Sequence, residues 1–224
     1  MTLPGTTIEI SKIEHGISRT MFDGIFASGG ITLSQVCIMT GLEPYMVQNW
    51  VKRKFVSSPQ RRVYSPNQFA RIVIINMLRE SLQIDSITSL LKHINGTLSD
   101  ESDDLIGDSE LYHMYVDLFA ECGGSFYDTA ATQAAIERMT SAYDGPDETR
   151  RRLFEVLEVI AYARVSVHAR HKAERLLAER GVNIVARSQN YESKAWGFES
   201  EMLFVNVAWE AETKLESEPL LDAL

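Results

Sequence analysis

From Ile17 onward, apolar positions recur at helical spacing over most of the chain, and strand-like alternation is confined to short stretches. Residues 1–16 show no clear period and hold Pro4, Gly5 and Gly16, so they read as an extended lead-in. Ile17–Ala27 predicts a short helix that stops before Ser28-Gly29-Gly30. Thr32 then stands as an N-cap, Leu33, Val36, Cys37 and Thr40 share one helical face, and Gly41 ends it. A new start follows at once, with Glu43 as an imperfect cap, Pro44 at the first helical position, and Val47, Trp50 and Val51 at helical spacing. Two helices joined by so short a glycine-bearing turn predict a helix-turn-helix. Phe55-Val56 and Val63-Tyr64 flank a Ser57-Ser58-Pro59 turn and predict a small β wing. Ser65-Pro66 opens the next helix, with Phe69, Ile72, Val73, Met77, Leu78 and Leu82 inward. A further helix from Asp85 or Ser86 carries Ile87, Leu90, Leu91 and Ile94 and stops at Asn95-Gly96.

The stretch Thr97–Ser109 is acidic and poor in apolar residues, which predicts a linker. Helical patterns resume over Glu110–Cys122 and Asp128–Ala142. A long one follows over Pro146–Arg180, with Leu153, Val156, Leu157, Ile160, Ala163, Val167, Leu176 and Leu177 at helical or heptad-like spacing. A helix of about 35 residues is roughly 50 Å long, more than one small domain covers. It therefore predicts a kink or a second copy, and a homodimer seam through Leu153, Val156, Leu157, Ile160 and Val167 is the preferred expectation. Beyond it, Leu203, Val205, Val207 and Trp209 alternate, and Val182, Ile184 and Ala186 do so weakly, which fits either a hairpin or a docked tail. The expected fold is thus mainly α: lead-in and short helix (1–30), winged helix-turn-helix (31–96), acidic linker (97–109), helical dimerisation or sensor domain (110–181) and C-terminal extension (182–224).

Charge sharpens this division. The 224 residues carry a net charge of −9, which by itself argues against a nucleic-acid partner. Its distribution reverses that impression. Pro44–Arg79 holds seven basic residues (Lys52, Arg53, Lys54, Arg61, Arg62, Arg71, Arg79) and no acidic one, whereas His93–Glu137 holds ten acidic residues and no Lys or Arg. Residues 1–98 sum to +4 and residues 99–224 to −13, the asymmetry of a polyanion-binding module joined to an acidic partner. Two cysteines, Cys37 and Cys122, exclude a disulfide framework and fit a reducing cytoplasm. No apolar run approaches the roughly 18 residues of a membrane helix, and no secretory signal is expected.

Thr40-Gly41, Trp50, Arg62-Val63-Tyr64-Ser65, Arg71 and the Ile84–Leu91 segment follow one another in an order and spacing that resembles the MerR-like winged helix. "INMLRESLQID" and the acidic "SDESDD" are also similar to a bacterial family catalogued only as a domain of unknown function. The first resemblance implies a DNA-binding transcriptional regulator with an aromatic-plus-basic recognition helix, acting on double-stranded DNA. The chain departs from it at Asn49-Trp50, where paired tyrosines are usual, and at Lys54, where glycine precedes the wing. The residues agree with the resemblance independently. If Leu42, Val47, Trp50 and Phe55 face the core, Tyr45, Met46, Gln48, Asn49 and Lys52 face outward. Gln and Asn bond the edge of adenine, while Lys52, Arg53, Arg61, Arg62 and Arg71 would anchor phosphates.

Other chemistry finds less support. Glu110-x-x-His113 and the His168/His171 pair resemble parts of helical metal sites, but no second Glu-x-x-His completes one, so no metal or cofactor is expected. Asp100–Asp108 lacks the alternation of an EF-hand loop. Neither a phosphate-binding Gly-rich loop nor a Gly-x-Ser-x-Gly elbow occurs, so no enzyme activity is expected. With Cys122 alone near the long helix, a thiolate metal sensor is not expected. The helical part leaves room for a small-molecule or protein effector. The rival expectation is a protein-interaction module that keeps a winged helix without binding DNA.

Overall fold

The computed structural model describes residues 1–100, 103–188, 191–193, 204–206 and 208–213, which divide into two units, Met1–Val165 and Ser166–Leu224. The architecture is mainly α, as the periodicity predicts. In the first unit the order is α1 (Ile17–Phe26), β1 (Ile31–Thr32), α2 (Leu33–Thr40), α3 (Pro44–Lys52), β2 (Val63–Tyr64), α4 (Pro66–Leu78), α5 (Ile84–Asn95), α6 (Asp108–Glu121) and α7 (Thr129–Ser141). The first part of α8 (Asp147–Glu179) completes it.

The helix starts follow their caps. Thr32 and Gln35 form a capping box at α2, and Ser65 and Gln68 form another at α4, each satisfying backbone N–H groups of the first turn. Gly41, at φ +70°, closes α2 and lets α3 begin three residues later. The 54–64 connection differs from the expected ribbon. β2 pairs with β1, Ile31 opposite Tyr64 and Thr32 opposite Val63, and not with Phe55-Val56. The tight turn lies at Arg61-Arg62, where the Val63 N–H donates to Gln60 O at 2.9 Å.

Two helices are buried almost all round, the condition for a helix at the centre of a domain. On α4, every residue from Gln68 to Ile75 is buried, and so are Met77 and Leu78. On α6, Asp108 and every residue from Leu111 to Phe119 are buried. These two helices pack on each other, so the expected linker between them is no linker. Leu98 and Ile106 are core residues, and Arg71 of α4 reaches into the segment. Its Nε lies 2.6 Å from Asp108 Oδ2, its guanidinium also meets Asp104, and Nη1 donates to the Leu98 carbonyl. A composition rich in Asp reads as solvated, but here two of the aspartates neutralise a buried arginine.

The lead-in is also built in. Leu3 is fully buried, the Tyr112 hydroxyl donates to Pro4 O at 2.7 Å, and Asn76 Nδ2 donates to Gly5 O and Thr40 O, each at 3.0 Å. Burial along α8 corrects the expected dimer seam. Leu153, Val156, Leu157 and Ile160 belong to the core of the first unit, and Val167 is buried too, so these five side chains are not an open seam. A helix too long for one small domain instead serves two units.

The second unit takes the rest of α8 and four strands: β3 (Val182–Arg187), β4 (Tyr191–Ser193), β5 (Phe204–Asn206) and β6 (Trp209–Thr213). β3 pairs with β6 and β4 with β5, both antiparallel, in two separate two-stranded sheets. The hairpin alternative therefore describes the C-terminal extension. Leu203 and Val207 of the alternating run lie outside the described residues. Among the described residues no helix is long and apolar enough to cross a membrane.

Candidate nucleic-acid interface

α3 divides as its spacing predicts. Leu42, Val47 and Trp50 are buried and Phe55 is half-buried, while Gln48, Asn49 and Lys52 are exposed and Tyr45 is 68% exposed. Met46 is half-buried, its sulfur 3.8 Å from Nη1 of Arg79, whose Nε donates to Asn76 Oδ1 at 2.9 Å. The outer face of α3 thus presents two side-chain amides, a phenol and an ammonium, a set able to pair with base edges and phosphates.

The end of α3 is a Schellman turn. The Phe55 N–H donates to Trp50 O at 2.9 Å and the Lys54 N–H to Val51 O at 3.0 Å. The residue between them must take the left-handed conformation that glycine usually supplies; here it is Lys54, at φ +61°. The turn at Arg61-Arg62 repeats the pattern. Both residues have positive φ, +50° and +65°, as in the two-residue hairpin turn that favours Asn-Gly.

The seven cations of the basic window separate into two groups. Arg71 is 2% exposed and locked to Asp108 and Asp104, which corrects its expected role as a phosphate contact. Arg53 lies 4.5 Å over the Phe55 ring and 3.8 Å from Asp85, and Arg79 is held against Asn76 and Met46. Lys52, Lys54, Arg61 and Arg62 are exposed, and among the described residues none of them is ion-paired. Of these four, Lys54 borders an open groove of about 930 Å³, lined also by Ser57, Ser58, Gln60, Gly30 and Asp100.

A second polar cluster lies where α1 meets α6. Arg19 spans Asp117 and Glu110, with Nη1 2.6 Å from Asp117 Oδ2 and Nη2 2.6 Å from Glu110 Oε1. Gly16 N–H donates to Asp117 Oδ1 at 2.7 Å. His113 is buried, its Nδ1 2.9 Å from Ser18 Oγ, and burial together with the Arg19 charge lowers its pKa. The carboxylates that a metal would need are thus engaged by Arg19, and the described residues contain no cluster of three or more potential ligands. Sequence reasoning missed this cluster because Arg19 and Asp117 lie 98 positions apart.

No solved structure matches the chain. An uncharacterized protein of Bacillus subtilis (strain 168), YkrK, is 30% identical over 105 residues, which cover 45% of this chain and 42% of that protein. The chain therefore spans less than half the length of the curated relative it matches. Residues 32–115, which run from the cap of α2 to the middle of α6, match the family described as Domain of unknown function (DUF1836).

Proposed function

We propose that this chain is a cytoplasmic transcriptional regulator that binds double-stranded DNA through residues 31–96 and works as a homodimer, in the manner of a MerR-like winged helix. The observation that carries the reading is the segregation of unpaired charge. Lys52 at the end of α3, and Arg61 and Arg62 at the turn of the 54–64 connection, are exposed and, among the described residues, free of carboxylates, in a protein whose net charge is −9. An acidic protein keeps such a patch clear most readily when a polyanion is its partner. Gln48 and Asn49 read bases in this scheme, Tyr45 and Met46 add apolar contact, and Lys52, Arg53, Arg61 and Arg62 anchor the backbone.

Fluorescence anisotropy with DNA from upstream of the chain's own gene, at several salt concentrations, tests it. Lys52→Ala weakens binding to every duplex and lowers the salt slope by about 0.9. Gln48→Ala or Asn49→Ala costs about 1–3 kcal/mol on the preferred site and little on random DNA. Absence of duplex binding at low salt rejects the reading and selects the protein-interaction module, which the overall acidity favours.

A further inference from the structure

Among the described residues, the three non-glycine residues with positive φ are Lys54, Arg61 and Arg62. All three are basic, exposed and unpaired, and all three occupy positions for which glycine or asparagine is the low-energy choice. Left-handed backbone costs an L-residue energy at each position, and among the described residues no hydrogen bond or ion pair of these side chains offsets it. Strain retained by one charge type at both ends of a single connection marks a binding element. Lys54 and the residues on either side of the turn, Gln60 and Val63, line one groove, to which Asp100 also contributes, so both strained sites border the same groove.

From this we infer that Lys54, Arg61 and Arg62 form a three-cation clamp on the sugar-phosphate backbone of duplex DNA, kept at the expense of stability. The inference rests on the duplex-binding reading and adds Lys54 to it. Lys54→Gly, Arg61→Asn and Arg62→Gly each supply the residue the backbone prefers. Each raises the melting temperature by about 2–4 °C, weakens binding to a 24-bp mixed-sequence duplex, and lowers the salt slope by about 0.9. Arg61→Lys and Arg62→Lys keep charge and strain together, so they bind like wild type and gain no stability. Variants that bind as tightly as wild type, or that melt lower, overturn the clamp while wild-type duplex binding still stands. A wild type that binds no duplex overturns both readings.

Discussion

Arg71 and Arg62 show how far residue type underdetermines role. Both belong to one uninterrupted basic window, yet one is buried between two aspartates and the other stands free on a strained turn. The window alone could not separate them, because Asp104 and Asp108 lie more than thirty positions away. Breaking such a buried pair from one side strands a charge, which typically costs about 3–5 kcal/mol. Arg71→Ala is accordingly expected to lower unfolding stability by that amount in urea titrations, whereas Arg62→Ala leaves it nearly unchanged. His113 yields a pH dependence. Its folded pKa lies below the ordinary 6.5, first through burial and then through the Arg19 charge, with Glu110, Asp117 and Asp23 opposing. The unfolded chain therefore binds the proton more readily. The native state keeps its full stability above pH 6.5 and loses it as pH falls through 6.5 toward the lower folded value. His113→Gln should flatten this part of the stability–pH curve; an unchanged slope would assign the effect elsewhere.

At the scale of elements, what was legible is what local chemistry decides. The capping residues Thr32 and Ser65, the first-turn prolines Pro44 and Pro66 and the stop at Gly41 place α2, the start of α3 and the start of α4 within a residue or two of their expected positions, while α4 ends at Leu78, short of the expected Leu82. The division of α3 into Val47 and Trp50 inside, Gln48 and Asn49 outside, was legible for the same reason. Pairing was not. The chemistry of Val63-Tyr64 marks a strand but not its partner, which proved to be Ile31-Thr32. The stripe on α8 likewise shows an apolar face without showing what covers it. Leu157 and Ile160 face the core, while Val159 and Tyr162 remain 39% and 53% exposed. Leu157→Asp is thus expected to abolish cooperative unfolding of the first unit, because it buries an unpaired charge. Tyr162→Asp should leave the circular dichroism melt intact. If a homodimer forms through the outer face of α8, Tyr162→Asp halves the mass measured by light scattering, and an unchanged dimer would place that interface elsewhere.

At the scale of the molecule, the expected boundary at 97–109 fails and a boundary near Val165 replaces it. The reason is burial. α4 is enclosed on nearly every side, and α6 covers much of it, so the basic module cannot close its own core. The acidic residues that seemed to mark a separate domain include Asp104 and Asp108, which meet Arg71, and Asp117, which meets Arg19 of α1. The match over residues 32–115 runs through this junction rather than stopping at Gly96. A fragment of residues 1–96 keeps α2, α3 and the 54–64 connection but exposes the apolar faces of α4 and leaves Arg71 without either aspartate. It should show no cooperative thermal transition and should bind an apolar dye strongly, as a collapsed, loosely packed chain does. A fragment of residues 1–165 retains α6, α7 and the covering part of α8, and should melt in a single step. A cooperative melt from residues 1–96 alone would restore the independent winged-helix domain and make the α4–α6 packing a docking of two domains.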